Sequence, residues 1–163
     1  MKSFAFLLAA VCCVALVAAT PAEDRQRAKE LILKLVRLRS FQHHRATIQM
    51  GNRLAKLRRN ALDMTAKKNE VGCVNRLFSD YIVDGQDLIK ETIDTILPQL
   101  DDMAQIVNSA SSTEEQWQKA QEFSNEHTYA AYKKACMKTF DTALIGWLAE
   151  REKNIQACLA PLG

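Results

Sequence analysis

Apolar residues recur three and four positions apart along most of this chain, and no stretch alternates at the period of a half-buried strand. Ala28, Leu31, Leu35 and Leu38 begin the pattern; Met50, Leu54, Leu57, Ala61 and Met64 repeat it at 4,3,4,3. Val74, Leu77, Phe78, Tyr81 and Ile82 follow, then Ile89, Ile93, Ile96, Leu100, Met103 and Val107 at 4,3,4,3,4. A shorter stripe, Trp117, Ala120 and Phe123, precedes a long one through Tyr132, Cys136, Phe140, Ala143, Leu144 and Trp147. Five Gly and three Pro in 163 residues leave few interruptions. The pattern predicts an all-α fold, an antiparallel bundle of three long or four to five shorter amphipathic helices.

Boundaries can be read from the same residues. Thr20 and Glu23 stand at capping-box spacing, and Pro21 occupies a first helical position. The polar SFQHHR after Arg39 marks residues 39–45 as a candidate break or kink. Gly72 reads as a stop, and Pro98 should kink its helix or restart it. Ser111, Ser112 and Thr113 before Glu114 and Glu115 form a further start signal.

Residues 1–19 read as a secretory signal. Met1-Lys2-Ser3 is a short positive start, Phe4 to Ala18 carries no charge, and Val17-Ala18-Ala19 offers a small-residue exit. That stretch is too short for a membrane span, so residues 20–163 are expected as one exported, extracellular domain. Removing the signal takes Cys12 and Cys13 and leaves Cys73, Cys136 and Cys158. Export favours oxidation, and the odd count leaves one thiol buried or able to link two chains as a disulfide-bonded dimer.

Charge is unevenly spread. Residues 25–68 hold 13 Lys or Arg against Glu30 and Asp63, a balance of +11. Residues 69–163 hold 8 basic and 15 acidic side chains, a balance of −7. Asp80, Asp84, Asp87, Glu91 and Asp94 draw an acidic stripe whose like charges oppose the helix unless cations lie opposite. The sequence reading therefore sets this stripe beside the basic residues at 53–67, with each exposed pair contributing only ~0.2–1 kcal/mol. The basic half offers Lys34, Arg37, Arg39, Arg53, Lys56, Arg58 and Arg59 as contacts to an anionic surface. LILKLVRLR interleaves aliphatics and cations as surface-seeking membrane helices do, although the same pattern suits a buried bundle helix. It lacks the interleaved aromatics that stack on bases, so no nucleic-acid partner is expected. Lys56-Leu57-Arg58-Arg59 has the form of a processing site, shielded if it lies mid-helix.

Catalytic chemistry finds little footing. His43 and His44 are adjacent, about 100° apart on a helix, and cannot share a site. No calcium loop, zinc spacing, phosphate loop or nucleophile elbow is present, so no metal, cofactor or catalytic residue is assigned. Phe78, Ile93, Trp117, Phe123, Phe140 and Trp147 remain as lining for an apolar ligand or as plain core, and Cys136 as a packed thiol.

The leader, the helical first half, VGCVNRLFSDYI around Cys73 and the terminal LAEREKNIQACLAPLG around Cys158 resemble small secreted insect proteins of the TsetseEP-domain type. The resemblance spans roughly residues 71–160 and implies an exported helical protein without catalytic residues. Two function classes follow. One is a secreted binding protein that encloses a lipid or other apolar ligand, or docks a protein partner. The other is a cationic membrane-active or defence protein working through the basic helix of residues 25–68.

Geometry also limits the disulfide. On one continuous helix Cys136 and Cys158 lie 22 residues, about 33 Å, apart, beyond any disulfide's reach. In an up-down-up path Cys73 lies where the last helix returns. Cys73–Cys158 is therefore the expected pair and Cys73–Cys136 the runner-up.

Overall fold

A computed structural model describes residues 20–65 and 71–160; residues 1–19, expected to be a leader, and Lys67 and Lys68 lie outside the described residues. Five α-helices form, α1 Pro21–Thr65, α2 Val71–Ile89, α3 Leu100–Asn108, α4 Glu114–Glu126 and α5 Tyr129–Leu159. A short π-helical segment, Lys90–Asp94, continues α2. The fold is all-α, its helices packed against one another with no strand among the described residues. None of these helices is long and apolar enough to cross a membrane.

Side-chain pairs fix the path. Arg58 Nη2 donates to Asn75 Oδ1 at 3.0 Å, and the Cβ position of Gly85 lies 3.2 Å from Met50 Cγ. The sum of paired numbers stays nearly constant, so α2 descends antiparallel to α1. Arg39 reaches Asp101 on α3, which carries the descent onward. Arg25 then pairs with Glu114, Lys34 lies 4.9 Å from the Tyr129 ring centroid, and Gln49 Nε2 donates to Asp141 Oδ1 at 3.2 Å. Here the numbers rise together, so α4 and α5 climb parallel to α1. Three rods result: α1 unbroken at 45 residues, about 68 Å, and two rods each interrupted once.

The interruptions have local causes. Buried Thr92 turns its hydroxyl back to the Leu88 carbonyl at 2.6 Å, the kind of side-chain bond that bends a helix, within the wider π turn. Pro98 has no N–H to continue the ladder, and the chain restarts at Leu100. Between α4 and α5, Thr128 caps the new helix through the Ala131 N–H. Thr20 with Glu23, and Thr113 with Gln116, make reciprocal capping boxes.

Two boundary expectations are corrected. No break occurs at residues 39–45, because Leu38, Gln42 and Ala46 keep the four-residue core spacing and face inward. Gly72 does not end a helix: it lies in the first turn of α2, and the described helices part upstream of it. The processing-like Lys56–Arg59 sequence sits inside α1.

The core runs the length of the bundle, from Ile32 and Leu35 through Met50, Phe78, Ile89, Ile93, Leu100 and Phe140 to Ile155. Tyr81 makes edge contacts with Phe78 and Trp147, their centroids 5.3 and 6.1 Å away. At the closed end Cys73 and Cys158 are bonded, their Cα atoms 6.3 Å apart across 85 residues of sequence. Cys136 is buried as the free thiol among the described residues.

Candidate functional site

Because α1 is shared by both other rods, its inward face carries the core, and no helix among the described residues covers its opposite face. Lys34, Arg37, Phe41, Arg45, Ile48, Asn52, Lys56 and Arg59 follow one another at 3,4,4,3,4,4,3, a single stripe of seven turns. Its length is about 38 Å. All eight side chains are exposed, and no carboxylate belongs to the stripe. Phe41 and Ile48 are 59% and 52% exposed, one above the other at seven residues. With Arg45, Arg53, His44, Gln49 and Asn52 they border a groove of about 630 Å³.

The ion pairs of the described residues lie elsewhere. Arg25 is held by Glu114, and Arg39 by both oxygens of Asp101. Asp84 pairs with Arg151 at 2.7 Å, and that guanidinium also lies over the Trp147 ring, 4.5 Å from its centroid. No cation of the α1 stripe has a carboxylate partner among the described residues. The hydrogen bond from Arg39 holds the Asp101 carboxyl below its ordinary range, and Asp101 reciprocally holds the guanidinium charged.

These positions correct the charge expectation. Asp80, Asp84, Asp87, Glu91 and Asp94 do not bond to Arg53, Lys56, Arg58 or Arg59; of the five, Asp84 alone makes an ion pair among the described residues, and with α5. Antiparallel packing spends the facing sides of α1 and α2 on Met50, Leu54, Val74, Phe78 and Gly85, which leaves the basic row and Asp80, Asp87 and Glu91 turned outward, with Asp84 and Asp94 half-buried. Of the seven cations proposed as surface contacts, Lys34, Arg37, Lys56 and Arg59 share the stripe and Arg53 flanks it. Arg39 is taken by Asp101, and Arg58 turns to Asn75 on α2.

The candidate ligand lining divides as well. Phe78, Ile93, Phe123, Phe140 and Trp147 are packed into the core, Ile93 and Phe140 with no exposure at all. Half-buried Trp117 instead walls an end groove of about 650 Å³, its ring 5.6 Å from the Arg25 guanidinium carbon. Phe41, Arg45 and Ile48 were not singled out by the sequence reading. SFQHHR looks like a break when apolar residues are assumed to face inward; the wet side of α1 carries two of them.

No protein-family model matches this chain, and neither the curated proteins nor the solved structures compared with it give a match.

Proposed function

We propose that this is a secreted, non-enzymatic binding protein that lies along anionic lipid surfaces through the outer stripe of α1. The observation that carries this reading is an acid-free row of five cations, none with a carboxylate partner among the described residues, interrupted by two exposed apolar side chains. Cations near an anionic leaflet are worth about 1 kcal/mol each, and one unbroken helix carries Arg37, Arg45, Lys56 and Arg59 along a single exposed face, with Lys34 at its edge over the Tyr129 ring. Phe41 and Ile48 supply the apolar contact that interfacial helices place at the headgroup boundary. An enclosed apolar-ligand site receives less support, since five of its six candidate lining residues are core.

Co-sedimentation with phosphatidylcholine vesicles, with and without 30% phosphatidylserine, tests the proposal. The protein should pellet with anionic vesicles and remain free of neutral ones. Arg37→Gln, Arg45→Gln, Lys56→Gln and Arg59→Gln together should lower the partition constant roughly 100-fold or more. The same number of neutralisations on α5, at Lys133, Lys134, Lys138 and Lys153, should matter far less. Equal loss from both sets, or equal binding to neutral vesicles, would refute the assignment to the stripe.

A further inference from the structure

We propose that the seam between α1 and α2 is a separate site for a medium-chain carboxylate, a fatty-acid anion with its headgroup on Arg58. The groove holds about 380 Å³ and is lined by Gly51, Leu54 and Arg58 of α1 with Asn75, Phe78, Ser79 and Ile82 of α2. The antiparallel register orders these residues along it. Gly51 and Ile82 stand at one end, Leu54 and Phe78 in the middle, and Arg58 with Asn75 at the other.

Each end has a distinct chemistry. Leu54 and Phe78 are buried and form an apolar floor, and Ile82 is 59% exposed as its outer wall. At the far end Asn75 Oδ1 accepts from Arg58 Nη2, which steers the guanidinium toward α2, and no carboxylate among the described residues neutralises it. Gly51 lines the opposite end, where a Cβ would stand in open space with nothing within 4 Å. From Gly51 to Arg58 is seven residues, about 10 Å, so the trough suits an acyl chain of medium length. A single cation closing an apolar trough matches a single carboxylate on an alkyl tail. An alkyl ammonium would meet like charge, and an alcohol would leave the guanidinium unpaired.

Titration calorimetry with decanoate, octanoate and decyltrimethylammonium tests this site. Decanoate should bind at one site, about 15-fold tighter than octanoate because two further methylenes are covered. Decyltrimethylammonium should bind at least tenfold more weakly. Gly51→Leu should fill the trough and lower decanoate affinity at least tenfold, with a thermal midpoint equal to or above that of the unaltered protein, since the new side chain enters open space. Arg58→Gln should erase the preference for the carboxylate. Arg37→Gln with Arg45→Gln, which lie on the outer stripe, should leave decanoate affinity in place; that result separates this site from the lipid-surface reading, which could fail alone. Absence of decanoate binding at millimolar concentration, equal affinity for the ammonium, or full affinity in Gly51→Leu would each overturn the proposal.

Discussion

Gln42 is the residue least at home in its surroundings. Its side chain is fully buried on α1, and neither amide atom has a hydrogen-bond partner. The register places it level with Cys136 of α5 and the π segment of the second rod. An unmatched buried amide carries a desolvation penalty of about 1–3 kcal/mol, so Gln42→Leu should raise stability by an amount of that order. Urea unfolding measures it, and a loss of stability would mean that the amide is bonded in solution. Nearby, burial pushes the Tyr132 hydroxyl and the Cys136 thiol up from their ordinary ranges, and the Tyr132 oxygen has no hydrogen-bond partner. Both groups therefore hold protons more tightly folded than unfolded, where they titrate near about 10 and 8.5. Their contribution is complete below about pH 8.5 and is lost as pH rises through the unfolded values toward the folded ones. The thermal midpoint should be flat from pH 7 to 8 and fall above about pH 9. Tyr132→Phe with Cys136→Ala should flatten that fall; an unchanged slope would place the sensitivity elsewhere.

Among the elements, the three rods were legible because each has a continuous apolar stripe, and the Thr20 cap because Glu23 lies three residues on; the start near Ser111–Thr113 was legible too, though its box closes on Gln116 and not on Glu114 or Glu115. The restart after Pro98 was legible for the same local reason. The π turn was not: its wider winding follows from holding Thr92 and Ile93 both inside, which no spacing rule for a regular helix anticipates. The uninterrupted passage through residues 39–45 was also hidden. Helix continuity there goes with the burial of Gln42 and Ala46 at the level of the π segment and α5, a tertiary effect that overrides polar composition. The disulfide follows from topology, since an up-down-up path returns Cys158 to Cys73. Closing so long a loop restricts the unfolded chain, so Cys73→Ser with Cys158→Ser should cost about 2–5 kcal/mol in urea unfolding while helix content stays near that of the intact protein. An unchanged unfolding midpoint would show that the bond is not formed in the protein in solution.

Across the whole molecule, the opposed charges of the two halves lie on different outward faces instead of neutralising each other across the α1/α2 seam. The sequence carries the quantities of charge but not their azimuth, because the core decides which way each helix turns. Cross-rod ion pairs are few and exposed or half-exposed, and such pairs contribute little. A basic stripe left without internal partners repels itself, so added salt should relieve the fold and weaken its hold on an anionic surface. One salt titration reads both consequences. The partition constant on 30% phosphatidylserine vesicles and the thermal midpoint of the free protein are followed from 0.05 to 0.5 M NaCl, over which the screening length falls from about 14 to about 4 Å. The account predicts that vesicle binding collapses while the midpoint holds or rises. A midpoint that falls steeply with salt, with vesicle binding absent or insensitive to it, would contradict the account and return the two charge blocks to each other.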